Sequence, residues 1–153
     1  MRLLIAVLFA ALVVSCAAAQ EAQTGLPVST LVIETARGAT VSFSVELADD
    51  DQSRATGMMF RTRAPRGTGM LFDFKQPEHV AFWMKNTPIP LDMIFIRADG
   101  TIWRIAPDAV PHSLQSVPSL GPVQAVLEIA GGEAAALGIA EGDRVRHPIF
   151  GTP

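Results

Sequence analysis

Short apolar runs, broken repeatedly by glycine, proline and aspartate, constrain the fold of this chain more than any other feature. From residue 31 onward these runs have the length and composition of strands. Residues 41–47 alternate apolar and polar side chains, which is typical of a strand with one side in water. Residues 98–100 read Ala-Asp-Gly between two apolar runs, and Asp-Gly in that position favours a tight hairpin. The pattern therefore predicts a mainly β protein.

The same reasoning predicts a single β-rich α+β domain over residues 30–150. Two short helices are expected, one after the aspartates at 49–51 and one at 133–137 between glycines. The proline-rich segment 106–122 is expected to form a long surface loop. Closing about seven or eight strands into a small barrel or sandwich would remove exposed strand edges. The strands are expected at residues 31–35, 41–47, 69–74, 80–85, 91–97, 101–105, 123–129 and 144–147.

Residues 1–19 have the features of a secretory signal segment. Arg2 precedes an apolar run that is too short for a permanent membrane span, and small residues follow the run. We therefore expect export to the periplasm, with residues 20–29 as a tether. Cys16, the single cysteine, ends a segment that resembles a lipobox. Lipidation of Cys16 with anchoring at the outer membrane, and cleavage after Ala19, both stay open.

The charge of the chain argues against a nucleic-acid partner. The formal net charge is −3, whereas proteins that bind nucleic acids usually present a basic face. Four arginines between residues 54 and 66 follow three consecutive aspartates, which is typical of a solvated surface of mixed charge. We expect membrane contact only through the signal segment or a lipid on Cys16.

Lys85, Asn86 and Asp92 are polar residues beside two very apolar runs, separated by a stiff loop that holds Pro88 and Pro90. Burying such groups is unfavourable unless they find partners. Our first expectation is an ion pair between Lys85 and Asp92, with Asn86 fixing the loop backbone. The alternative is a small polar ligand site at the mouth of a barrel.

A group of methionines raises a second kind of site. Thioether sulfur suits copper(I), although methionine more often fills irregular gaps in a core, and no repeated ligand spacing is visible here. The residues concerned are Met58, Met59, Met70, Met84, Met93 and His79.

Signals for catalysis are few. The histidines lack the spacing of a zinc site, and no serine lies in a nucleophile elbow. A pair of carboxylates such as Asp92 and Glu128 could serve glycan hydrolysis, but their separation is a spatial question.

Four stretches, residues 54–61, 69–72, 82–92 and 126–143, resemble the family known as domain of unknown function 192, or uncharacterised protein family 0127. The resemblance implies a small, mostly β protein that often carries a signal or membrane anchor, without an established activity. It also implies a set of shared polar positions as candidates for a binding site. These are Arg54, Arg61, Lys85, Asn86, Asp92, Glu128 and Asp143.

Taken together, these features predict a non-catalytic binding or accessory module of the cell envelope, with an envelope ligand or protein as partner. No cofactor is expected under this hypothesis. Two alternatives stay open: a copper(I)-binding protein that uses the methionines, and an envelope hydrolase.

Overall fold

The computed structural model describes residues 21–152, so the expected signal segment 1–19 and Cys16 lie outside the described residues. Within this range the protein is rich in strands and has two short α-helices, which confirms the predicted fold class. The elements in chain order are β1 (Val28–Glu34), β2 (Thr40–Ala48), α1 (Asp51–Thr56), β3 (Thr68–Glu78), β4 (Ala81–Phe82), β5 (Leu91–Ile96), β6 (Ile102–Ala109), β7 (Val117–Pro118), β8 (Val123–Ala130), α2 (Glu133–Ala136), β9 (Arg144–Arg146) and a 3-10 turn (Pro148–Phe150).

Seven strands form one curled sheet in the order β6-β5-β8-β3-β2-β1-β9, and β4 pairs with β7 in a separate ribbon. The sheet is antiparallel except for the pairing of β2 with β3. Its two ends meet where Thr101 bridges Arg144 and the Val145 N–H donates to the Gly100 carbonyl at 2.8 Å. This contact needs glycine, because Gly100 has a φ of 85° and a Cβ there would lie 2.5 Å from the Val145 oxygen. Curling thus protects part of both edges.

Strands β5 and β8 and the first half of β3 are buried on both faces. Side chains alternate along a strand, so Ile94 and Leu127 face the inside of the curled sheet while Met93 faces outward. The outward side chains form a second core beneath the segments that follow α1 and β4. All six residues of β5 are consequently buried, which explains why this run is continuously apolar apart from Asp92.

The structure differs from the expectations at two chain segments. Strand β4 ends at Phe82, because the Met84 N–H bonds to the carbonyl of Ser113 and the chain leaves the ribbon there. The expected loop 106–122 contains the end of β6 and all of β7. Pro107 is compatible with β6, since this strand pairs only with β5 along its length and a proline is tolerated on an open edge.

The predicted tether is packed against the domain over the part that the structure describes. The Gln23 side-chain amide donates to the carbonyls of Ser53 and Gly57 at 3.0 and 2.8 Å, and β1 begins at Val28. Between residues 21 and 152, no helix has the length and apolar character needed to cross a bilayer.

Candidate functional site

A cleft of about 280 Å³ opens on the outer face of the sheet, between α1 and the segment that contains β4. Its walls come from α1 and the turn after it, from the outward side chains of β3, and from β4 and the residues around it. Apolar side chains make up most of the lining, and Glu128 on β8 reaches it from the sheet. The lining residues are Arg54, Ala55, Thr56, Gly57, Met58, Met59, Phe72, Phe74, Val80, Ala81, Phe82, Trp83, Thr87 and Glu128.

Aromatic packing fixes one wall of the cleft. The Phe82 ring lies edge-on to three rings of the sheet, with centroid distances of 5.0 Å to Phe72, 6.3 Å to Phe74 and 6.2 Å to Phe95. Edge-to-face pairs at these distances stabilise beyond their buried area. Trp83, the next residue, is 48% exposed at the mouth of the cleft. The wall is therefore rigid, while Trp83 is free to contact a ligand.

The segments that follow α1 and β4 have an unusual backbone conformation next to the cleft residues Met59 and Thr87. Phe60 and Asn86 both have positive φ angles, 64° and 56°, and the Phe60 N–H donates to the Asn86 carbonyl at 2.7 Å. Positive φ is costly for a large side chain such as phenylalanine, so the surrounding contacts must hold it. Among the described residues the Asn86 side chain donates to the Met59 sulfur at 4.0 Å and to no backbone group, so the expected bond from this side chain to the loop backbone is not formed.

Glu128 lies at the floor of the cleft and is 4% exposed. Its neighbours across the ladder are Met70 on β3 and Met93 on β5, so it lies within a layer of thioethers. No side chain or backbone group of residues 21–152 forms a hydrogen bond with its carboxyl group, and the carboxyl oxygens are open to the cleft. Burial raises the pKa of Glu128 to about 8, and the positive charge of Arg61 offsets only part of this effect. The carboxyl group is therefore mostly protonated at neutral pH.

Two arginines flank the cleft without bonding to Glu128. Arg61 forms an ion pair with Glu46 and donates to the Gln23 carbonyl at 3.0 Å. Arg54 donates to the Asp73 carbonyl at 2.8 Å, and its guanidinium lies 5.5 Å from the centroid of the Phe74 ring. Both side chains are held in place by neighbouring groups of the domain, and both place positive charge near the cleft.

The expected ion pair between Lys85 and Asp92 is wrong. Asp92 is fully buried and accepts hydrogen bonds from the backbone N–H groups of Asp108, Gly132 and Ala134, each at 2.9 Å. Lys85 is exposed, with Nζ 5.1 Å from the centroid of the Trp83 ring. The reason is the alternation along β5, because Asp92 points away from the face that carries Met93 and the cleft. Asp92 is thus a structural residue that fixes the start of α2.

Asp143 has a similar structural task. Its two carboxylate oxygens accept from the N–H groups of Ala36 and Ala140, both at 2.8 Å, which ties together two turns away from the cleft. The structure therefore divides the seven polar candidates. Arg54 and Glu128 line the cleft, Arg61 and Asn86 support it, Lys85 stands beside its mouth, and Asp92 and Asp143 lie elsewhere.

The methionines are grouped, but His79 is not with them. Met58, Met70, Met84 and Met93 belong to the same outward-facing core, and Met58 and Met59 line the cleft. His79 is exposed and does not line the cleft. Over residues 21–152, no cluster of three or more histidine, cysteine, aspartate and glutamate side chains is placed to hold a metal ion.

A pair formed by the half-buried Ser29 and the buried His147 is not arranged for nucleophilic catalysis. Ser29 Oγ lies 2.7 Å from His147 Nε2, while the Ile149 N–H donates to His147 Nδ1 at 3.4 Å. Since Nδ1 accepts, the neutral ring carries its proton on Nε2 and donates to the serine. A general base would need a free lone pair at Nε2.

Sequence reasoning missed the aromatic lining of the cleft. Phe72 and Phe74 alternate with Asp73, and this period of two was the available signal that both rings share a face. The positions of Phe82, which packs against these rings, and of Trp83 depend on the fold of the chain over the sheet, which no local pattern specifies.

Several proteins of known structure are similar to this chain, among them the following two. A protein from Sinorhizobium meliloti 1021, described as a "putative transcription regulator", is 42% identical, with a TM-score of 0.81 over 83% of this chain and 98% of its own. A protein of unknown function from Novosphingobium aromaticivorans DSM 12444 is also 42% identical, with a TM-score of 0.78 over 81% of this chain and 88% of its own. No curated protein is significantly similar. The profile of the DUF192 family, described as Uncharacterized ACR, matches residues 32–147. The motifs, the fold and this match over most of the chain agree. The chain therefore belongs to the DUF192 family.

Proposed function

We propose that this protein is a non-catalytic binding module of the cell envelope, which holds a small, mainly apolar molecule in the cleft above Glu128. The observation that carries the proposal is a carboxyl group at the floor of an aromatic cleft, which is open to the cleft and forms no hydrogen bond with the described residues. A ligand that bonds to this group gains a hydrogen bond worth about 0.5 to 1.5 kcal/mol.

The composition of the cleft agrees with a small-molecule site. Such sites are concave and mostly apolar, with a few polar groups that orient the ligand. Here the rings of Phe72, Phe74 and Phe82 supply the apolar surface, and Glu128 supplies a polar group at the floor. A volume of about 280 Å³ is near the lower end of the usual range for ligand pockets, which favours a compact ligand or one end of a larger molecule.

The periplasm is the compartment that we propose, on the strength of the signal features in residues 1–19. Fusing those residues to a reporter enzyme that is active only after export tests this directly. Export of the reporter supports the proposal, and retention in the cytoplasm contradicts it. Replacing Cys16 by serine in the same fusion separates lipidation from simple cleavage, because only a lipidated protein would then lose its membrane association.

A thermal-shift screen tests the binding function. Compact ketones, amides, amines and cell-wall fragments are added to the purified protein, to its Glu128→Leu variant and to a Glu78→Gln control. Glu78 is exposed and lies outside the cleft, so the control removes a carboxylate without changing the site. A ligand at one hundred times its dissociation constant adds about 2.7 kcal/mol of stability. We expect a shift for the wild type and the control that is lost in Glu128→Leu. If no compound shifts the wild type, the proposal fails.

Copper(I) binding is a second candidate, because one observation favours it. Met70, Glu128 and Met93 lie opposite one another on three neighbouring strands and face the same side of the sheet, which brings two thioethers and a carboxyl group together. Titration with silver(I), a redox-stable substitute for copper(I), distinguishes this candidate. A Met70→Leu/Met93→Leu double variant should lose binding, whereas a Met84→Leu control should retain it. If both variants bind silver(I) equally well, the site does not lie at Met70, Glu128 and Met93.

A hydrolase with two carboxyl groups has less support. Such enzymes place a second carboxylate across the scissile bond, and Glu128 is the single carboxyl group among the described residues that line the cleft. Asp92, the other sequence candidate, faces the opposite side of the sheet.

A further inference from the structure

We propose that the cleft selects uncharged ligands with a hydrogen-bond acceptor, such as a ketone, ester or amide carbonyl, and that the protonated carboxyl group of Glu128 donates the hydrogen bond. This inference rests on the proposed binding function and names the class of ligand. It follows from the groups around Glu128 and from the charges at the rim.

The first argument is the lack of donors around Glu128. Its cross-strand neighbours Met70 and Met93 carry thioethers, which accept weakly and donate nothing. An ionised carboxylate needs several hydrogen bonds when it leaves water, and the described residues form none with Glu128. The nearby Arg61 has a buried Nε–H without a partner, but this group does not bond to Glu128. A neutral carboxylic acid has one O–H to donate, so the acid form fits this apolar floor. Neutral acids in apolar sites are effective donors to carbonyl oxygens.

The second argument is the sign of the surrounding charges. Arg61 lies near enough to act on Glu128, Arg54 lines the cleft, and Lys85 stands over Trp83 at the mouth. The acidic partners of the two arginines, Glu46 and Asp51, do not line the cleft. Both arginines are ion-paired, whereas Lys85 has no acidic partner within salt-bridge distance among the described residues, so a cationic ligand would be repelled by Lys85 at the mouth. An anionic ligand would be attracted to the rim but would lose its hydration in the apolar interior.

These arguments predict how the affinity for the ligand changes with pH. With a pKa of about 8, Glu128 is about nine-tenths protonated at pH 7 and about one-tenth at pH 9. Only the acid form donates, so the dissociation constant of a neutral acceptor should rise about tenfold between those values. A cationic amine would respond in the opposite direction. Comparison with Glu128→Gln isolates this response, because all other titrating groups are common to both proteins.

Calorimetric titration with a pair of compounds tests the inference. The pair is 4-phenylbutan-2-one, a neutral acceptor, and 4-phenylbutylamine, a cation with a similar skeleton. Both are measured at pH 6, 7, 8 and 9 against the wild type, Glu128→Gln, Glu128→Leu and the Glu78→Gln control. We expect the ketone to bind better than the amine at pH 7 and to weaken about tenfold by pH 9. Glu128→Gln should keep the ketone without this pH dependence, because its amide still donates, and Glu128→Leu should bind it at least tenfold more weakly.

The outcomes separate the inference from the function. If the amine binds more tightly than the ketone and gains affinity up to pH 9, the ligand class is overturned while the binding function stands. If the ketone binds Glu128→Leu as well as the wild type, Glu128 is not the donor. If neither compound binds wild-type protein that unfolds cooperatively, and the thermal-shift screen is also negative, the function and the inference fail together.

Discussion

Replacing Glu128 by glutamine should stabilise the protein at pH 8 but not at pH 4. In the folded state the pKa of Glu128 is about 8, and in the unfolded chain it returns to the ordinary value of 4.5. Between pH 4.5 and pH 8 the Glu128 carboxyl group is ionised in the unfolded chain and protonated in the folded protein. Folding therefore becomes less favourable as pH rises through this interval. Each pH unit in this interval lowers the free energy of unfolding by about 1.4 kcal/mol, which sums to about 5 kcal/mol by pH 8. The isosteric amide does not titrate and escapes this loss.

Urea denaturation at pH 4, 6 and 8 measures the effect. The relevant quantity is the difference in unfolding free energy between the wild type and Glu128→Gln, since all other titrating groups are common to both proteins. We expect this difference to grow by several kcal/mol between pH 4 and pH 8, in favour of the variant. The exposed Glu78→Gln control should follow the wild type within about 0.5 kcal/mol. A constant difference would show that Glu128 is ionised or hydrated in the folded protein, and the account of the cleft would be wrong.

Three further predictions concern stability. Asp92→Ala leaves the backbone N–H groups of Asp108, Gly132 and Ala134 without their acceptor. The free energy of unfolding, measured by urea denaturation, should fall by about 3 kcal/mol or more. A fall below about 1 kcal/mol would contradict the structural role of Asp92. Gly100→Ala places a Cβ 2.5 Å from a carbonyl oxygen at a residue with a positive φ. The melting temperature should therefore fall by about 5 °C or more. An unchanged melting temperature would refute the contact that joins β6 to β9. Burial lowers the pKa of His147, so its neutral form stabilises the fold above pH 6.5 and that stability is lost on acidification. A His147→Gln variant should therefore lose less stability than the wild type between pH 7 and pH 5. Equal losses in the two proteins would argue against burial of the ring.

Local signals in the sequence predicted the elements well. Asp99 and Gly100 specify the turn between β5 and β6, and their pairing is antiparallel as expected. Asp50 accepts from the Ser53 N–H at 2.9 Å at the start of α1, and Gly57 ends that helix with a φ of 50°. These features depend on residues close together in the chain, so the sequence contains the information directly.

The site depended on pairings that the sequence does not reveal. The parallel pairing of β2 with β3 and the position of β8 between β3 and β5 place Glu128 between Met70 and Met93. Asp92 and Glu128 both lie in buried strands, and only the register tells which one faces the cleft. The sequence therefore predicted Glu128 as a candidate without distinguishing it from Asp92, which has a structural role.

The protonation state of Glu128 is the central claim, and carbon-13 NMR measures it most directly. Glutamate labelled at the side-chain carboxyl carbon is incorporated, the Glu128 signal is assigned by its absence from the Glu128→Gln variant, and the shift is followed from pH 4 to pH 10. We expect a titration midpoint near 8 for this signal. A midpoint near 4.5 would mean that the carboxyl group is ionised at neutral pH, and both the neutral donor and the ligand class inferred from it would be contradicted.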